Sequence, residues 1–190
     1  LKACIERLES NGLVPVLDAT PDGENVYRPL GFVPHFGLQR WFHEAPEEIN
    51  LAKTELEAPE AIKVHRIDQE VFGGERPAVL ESLLGRSVEF ACHSPDGNGS
   101  LLGRDGRVAT QIGPIYARDD QAALAMLDHA LARVKGRIYI DACDHQSDFI
   151  EKLQGYGFKS QRPFLRMAKN NGEIFGDKDQ MYAMAGPELG

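Results

Sequence analysis

One pattern occurs twice in this chain, and it limits the folds open to it. Residues 12–32, GLVPVLDATPDGENVYRPLGF, run as an apolar stretch, a lone aspartate, a turn, a short helical stretch and a closing Gly-Phe. Residues 136–158, GRIYIDACDHQSDFIEKLQGYGF, repeat that order. Aligned, Asp18 falls on Asp141, Ala19 on Ala142, Gly31-Phe32 on Gly157-Phe158 and Arg40-Trp41 on Arg166-Met167. Both apolar stretches are apolar on both faces, the pattern of a strand in a covered sheet, and helical spacing flanks each one. A helix, buried strand, helix and strand used twice imply an α/β chain built from a duplicated module. The chain opens within a helical pattern, LKACIERLESNG, with no initiating Met. The expectation is that the natural protein extends further at this end and that the first copy is represented here by its rear part.

The other elements follow from local signals. Helix 1–11 stops at Asn11-Gly12, and LVPVLDA reads as a central strand. A short helix around Val26, Tyr27 and Leu30 ends at Gly31, and FVPHFGLQRWFHE reads as an edge or bulged strand because of Pro34 and Gly37. Residues 45–60 are acidic and bracketed by Pro46 and Pro59, a linker or a solvated helix. This divides the chain into 1–44, the linker 45–60, and a second unit 61–190. In that unit AIKVHR reads as a strand, and Ile67–Phe72 and Pro77–Leu84 as short helices broken at GGE. VEFACHS, SLLGR and RVATQIGPIYA form an antiparallel meander. A long helix from Gln121, the strand RIYIDAC, a helix around Phe149, Ile150 and Leu153, and the strand FKSQRPFLRM complete it.

Charge excludes one class of partner. With 29 acidic and 21 basic side chains the net charge is −8, which repels phosphate backbones and argues against nucleic acid, though a local basic patch for a small phosphorylated ligand stays open. No apolar run approaches the roughly 18 residues of a membrane span, and no secretory signal pattern is present, so the expected location is the cytoplasm. Cys4, Cys92 and Cys143 lack the paired spacing of a zinc or redox motif and are expected as reduced, mostly buried thiols.

The segments VYRPLGF, GRDGRVATQIGPIYARDDQAALAML and AGPELG, together with the element order of residues 61–185, resemble the GNAT superfamily of acyl-CoA-dependent N-acetyltransferases, and more closely its tandem two-domain members. The resemblance implies a mixed sheet that splays open between RVATQIGPIYA and RIYIDAC, with the thioester in the gap. It implies acetyl-CoA as co-substrate, no metal, and direct attack by a primary amine of a small molecule or peptide. A homodimer is compatible with it.

Particular residues then become candidates. A loop entering a helix N-terminus offers unpaired N–H groups to a pyrophosphate, which points to Arg118, Asp119, Asp120, Gln121, Ala122 and Ala123. Gln121 stands where the family has glycine, and either aspartate could instead cap the helix. Ile115, Tyr116 and Ala117 would pair with the pantetheine arm. Tyr27, four before Gly31, occupies the family's general-acid position, where a phenol protonates the departing thiolate; a packed helix tyrosine is the alternative. The matching position of the second copy is Leu153, which cannot donate a proton. Asp18 and Asp141 are candidates for the base, or for turn caps. Asp68, Phe72 and Arg76, around FGGER, would shape the acceptor pocket. Asp141, Asp144, His145 and Asp148 match no closed metal-ligand set, and Cys143 has no histidine tied to it by motif. The rival reading is a CoA- or ligand-binding module without turnover, or a scaffold.

Overall fold

The computed structural model describes residues 1–46, 49, 51, 56–86, 88–169 and 175–189. Much of the expected linker, residues 47, 48, 50 and 52–55, lies outside the described residues. The elements are α1 (Lys2–Glu9), β1 (Val16–Ala19), α2 (Pro21–Tyr27), β2 (Val33–His43), α3 (Ala61–Phe72), α4 (Pro77–Gly85), β3 (Cys92–His93), β4 (Ser100–Arg104), β5 (Thr110–Tyr116), α5 (Asp120–Leu131), β6 (Ile138–Cys143), α6 (Ser147–Gly155), β7 (Lys159–Ala168) and β8 (Met181–Met184). The strands form a single mixed sheet in the order β1-β7-β2-β6-β8-β5-β4-β3, with β5 and β6 also paired. Among the described residues no helix is long and apolar enough to cross a membrane.

The strands of residues 1–44 are threaded into those of residues 61–190. β2 lies between β6 and β7, and β7 lies between β1 and β2, all antiparallel. The ladder is symmetric about the facing pair Leu38 and Phe164. Phe36 faces Arg166 as Arg162 faces Arg40, and Asp18 faces Arg166 as Asp141 faces Arg40. The helix exits match too. Gly31 and Gly157 are left-handed at φ 89° and 85°. In each case the following Phe amide donates back to the carbonyl five residues earlier, Tyr27 or Leu153. A left-handed residue just past a helix is a position that glycine fills without a Cβ clash.

Several expectations are corrected. AIKVHR is the front of helix α3, because Val64, Ile67, Asp68 and Val71 fall on one helical stripe that is buried as a unit. β2 is bulged, with register shifts at Pro34–Phe36 and Arg40–Trp41, as one of the two expected alternatives had it, but it is central and not at an edge. β1 is the terminal strand, half-buried along most of its length. α5 ends at Leu131, and its buried stripe runs through Ala123, Met126, Leu127, Ala130 and Leu131. The antiparallel meander β3–β4–β5 is as expected, though β3 has shrunk to two residues. β8 has no counterpart in the sequence reading.

The core lies on both faces of the sheet. α5 and α6 cover one face through Leu127, Leu131, Phe149 and Leu153, and α3 covers the other through Ile67 and Val71 against Leu38, Phe164 and Met184. Gly113 marks the closest backbone approach: its φ is +143°, and a Cβ there would sit 2.0 Å from the Met184 carbonyl oxygen. Gly113→Val should therefore force β8 out of register and cost roughly 2–5 kcal/mol in urea unfolding. Gly85→Ala, which meets nothing within 4 Å at a helix end, should be neutral or gain up to about 1 kcal/mol.

Candidate functional site

The gap expected between two parallel strands exists, and it is filled. β5 and β6 pair in parallel from Thr110–Ile138 to Ile112–Ile140 and then separate. β8 enters between them. Ala183 faces Ile115 and Met181 faces Tyr116 on one side, while Met184 faces Asp141 and Ala183 faces Ala142 on the other. The Ala117 amide donates to the Gln180 carbonyl at 3.1 Å. The main-chain groups of Ile115, Tyr116 and Ala117 that the sequence reading offered to a coenzyme arm are thus engaged by the chain's own backbone, and all three residues are fully buried.

The start of α5 is closed in the same way. Asp119 caps it, accepting from the Ala122 amide at 2.9 Å. Asp120 Oδ1 accepts from the Tyr182 hydroxyl at 2.9 Å, which ties β8 to the helix start. Arg118 extends into solvent, 4.0 Å from Asp96; Gln121 is exposed, and Ala123 is buried against the core. Two carboxylates held at this terminus complement the helix dipole themselves and repel a pyrophosphate.

Asp18 and Asp141, the matched aspartates, cap nothing. Arg40 donates to both oxygens of Asp141 at 2.7 and 2.8 Å, and Gln111 Nε2 adds a third contact at 3.2 Å. Arg166 holds Asp18 in the same bidentate way, with Nη2 2.9 Å from Oδ2. Both Asp18 and Asp141 side chains are 2% exposed. Desolvation pushes the Asp141 carboxyl up from the ordinary carboxylate range, against the pull of Arg40 and Gln111. Desolvation works to lower the Arg40 guanidinium, but Asp141 leaves it raised. With both oxygens of Asp141 engaged and water excluded, its carboxylate serves the assembly of the sheet in this conformation. The signal that could have revealed the pairs was present, since residues 12–41 and 136–167 each carry an Asp and an Arg at matched positions.

Tyr27 ends α2 with its ring half-buried, 5.8 Å from the Phe32 ring and leaning over Gly23. Leu153, at the matching place, is wholly buried. Cys143 is also wholly buried, and burial drives its thiol upward, so it lacks the thiolate that nucleophilic attack needs. Asp144, His145 and Asp148 do not gather with Asp141: Asp144 sits against Gly37, and His145 contacts the Lys178 carbonyl at 2.7 Å.

A sizeable open space lies beside β1. A cavity of about 550 Å³ is lined by Leu17 and Asp18 of β1, Phe72 and Arg76 of the α3–α4 turn, Arg166 of β7, and Leu189. Arg76, expected to shape the acceptor pocket, is a buried clamp. It donates to Asp68 at 2.7 Å, to the Tyr116 hydroxyl at 2.7 Å and to the Leu189 carbonyl at 2.8 Å. Its guanidinium stacks 3.8 Å from the Phe72 ring centroid. Phe72 and Arg76 therefore do reach a cavity wall, while Asp68 stays beneath them. The clamp fixes the turn that closes the cavity.

The Arg40 pair generates a pH test. Arg40→Met should cost about 3–5 kcal/mol, because it strands a buried carboxylate. The raised carboxyl then binds a proton more tightly folded than unfolded. Stability of this variant should accordingly grow as the pH is lowered from about 8 to about 5 and fall as the pH rises, and Arg40→Met with Asp141→Leu should recover much of the loss. Urea unfolding across pH checks both.

Residues 64–183 match the family model of the acetyltransferase (GNAT) domain. The holothin acyltransferase of Pseudoalteromonas sp. (strain SANK 73390) is 26% identical over 188 residues, covering 92% of this chain and 61% of that protein. The crystal structure of an inferred acetyltransferase from Pyrococcus horikoshii superposes with a TM-score of 0.68 at 21% identity, covering 93% of this chain and 60% of that one. A GCN5-related N-acetyltransferase from Sphaerobacter thermophilus gives a TM-score of 0.53 at 12% identity, over 86% of this chain and 62% of that one. The chain thus spans about three fifths of the length of these relatives. The chain belongs to the GNAT acetyltransferase family.

Proposed function

We propose that this chain is part of an acyl-CoA-dependent N-acyltransferase built from two GNAT-like copies, in which residues 1–44 belong to the reactive copy and residues 61–190 form a copy that does no chemistry of its own. The observation that carries this reading is the strand between β5 and β6. In the copy of residues 61–190, β8 occupies the gap that a thioester would need, two aspartates hold the α5 start, and Leu153 takes the place of a proton donor. β1, which the symmetric ladder equates with β6, is the terminal strand of the sheet and lies along the 550 Å³ cavity.

In the reactive copy Tyr27 is the general acid. Attack by the neutral amine on the thioester carbonyl gives a tetrahedral oxyanion with a positively charged nitrogen; its collapse breaks the C–S bond as the phenol protonates the thiolate, and the proton lost from the nitrogen returns through solvent to the phenolate. Acetyl-CoA is the acyl donor, and a primary amine of a small molecule or peptide is the acceptor. The relative named as an acyltransferase supports acyl transfer. The cavity supports an acceptor site whose walls come from both copies, with Phe72 and Leu189 facing β1.

Two measurements test the assignment. In the longer protein, Tyr27→Phe should lower kcat by roughly 100-fold or more with little change in acceptor KM; unchanged turnover rules the acid out. In the present chain, acetyl-CoA titrated calorimetrically should show no saturable site at the α5 start. Saturable binding that Arg118→Glu weakens would return the coenzyme site to the second copy.

A further inference from the structure

The chain that follows β2 returns to the sheet at its far edge. Glu57 forms an isolated antiparallel bridge with His93 of β3, the His93 amide donating to the Glu57 carbonyl at 3.1 Å. The bridge gathers three side chains. His93 is 2% exposed, its Nε2 lies 3.2 Å from Oε2 of Glu57, and a carboxylate oxygen of Glu60 completes a set whose ligand atoms all lie within 4.8 Å of one another.

The other ring nitrogen decides how this imidazole is used. Nδ1 lies 2.9 Å from the Ala58 carbonyl oxygen. That oxygen can only accept, so Nδ1 carries the proton, and a neutral ring turns its Nε2 lone pair toward the Glu57 carboxylate. A lone pair facing a carboxylate is repulsive. A divalent ion relieves that repulsion toward both carboxylates at once. Glu60 also accepts from Lys63 Nζ at 2.5 Å, an exposed pair one helical turn apart, which is worth little and yields readily to a metal.

We propose that His93 Nε2, Glu57 and Glu60 bind one divalent transition-metal ion, zinc by ligand preference, with water completing the shell, and that the ion staples residues 57–60 to the edge of the sheet at β3. One imidazole nitrogen with two carboxylates suits zinc better than the oxygen-seeking magnesium or calcium. The Nδ1–H bond to a carbonyl is the outer-shell contact that orients metal-binding imidazoles. No motif spacing announces this site, because the histidine stands 36 and 33 positions after the two glutamates. It departs from the metal-free expectation for the same reason. It is independent of the coenzyme assignment, since none of its three residues borders the strand gap or the large cavity.

The test is calorimetric titration of ZnCl₂ into the chain at neutral pH, with MgCl₂ as a second arm and thermal unfolding as a second readout. The comparison variant is Glu57→Gln/Glu60→Gln, which changes only exposed side chains and spares the fold. The expected result is one equivalent of zinc, a raised Tm, and affinity reduced in the double variant by more than the roughly 10–100-fold that loss of an outer-shell partner costs. Magnesium should give no saturable heat. Absence of zinc binding overturns the proposal. Zinc binding that the double variant leaves unchanged also overturns it, as does magnesium binding of equal strength.

Discussion

Two buried arginines set the conditions under which this sheet can form. A guanidinium is effectively always charged, so Arg40 and Arg166 can enter the interior only where a carboxylate meets each of them. Asp141 and Asp18 do so, and each comes from the opposite part of the chain. β2 can therefore dock only beside β6, and β7 only beside β1. A slip of one residue would turn each aspartate to the other face of the sheet and strand two cations. Such pairs add little net stability compared with an apolar core. Their effect here is to make one register far better than its neighbours.

That constraint also explains why residues 1–44 and 61–190 share one sheet. Leu38 and Phe164 face each other at the centre of a symmetric ladder, so each rear strand completes its partner's strand pair. The exchange leaves the gap between β5 and β6 to be closed from within the chain. β8 does this with a buried run, Met181–Met184, that pairs on both edges and leaves few main-chain groups to a ligand. The cavity against β1 is then the place where parts of the chain far apart in sequence face a common space.

Legibility varied with the range of the physical signal. The buried strand IYIDAC, the helix stops at Gly31 and Gly157 and the helix start at Pro77 all depend on neighbouring residues, and each reads correctly. AIKVHR misled because a four-residue window of alternating apolar residues fits a strand, whereas the helical stripe becomes visible only when Ile67 and Val71 are included. For the candidate site, the sequence singled out Tyr27, Asp18, Asp141 and Arg76, but it misjudged what surrounds the last three. Their partners lie far along the chain or across the sheet, and burial by those partners turns a titratable group into a structural one.

The amino-acid order alone determined the α/β class, the paired motif with its matched Asp, Gly-Phe and Arg positions, and the resemblance to GNAT enzymes. The class and the paired motif are set by short-range periodicity and turn chemistry. Only the tertiary structure decided that the aspartates meet arginines of the opposite part, that β8 takes the gap, that Arg76 is a clamp, and that His93 meets Glu57 and Glu60. The physical reason is common to all four. Strand partners and buried charges are chosen by contacts between residues distant along the chain, and no local pattern encodes which distant carboxylate, strand or imidazole will arrive.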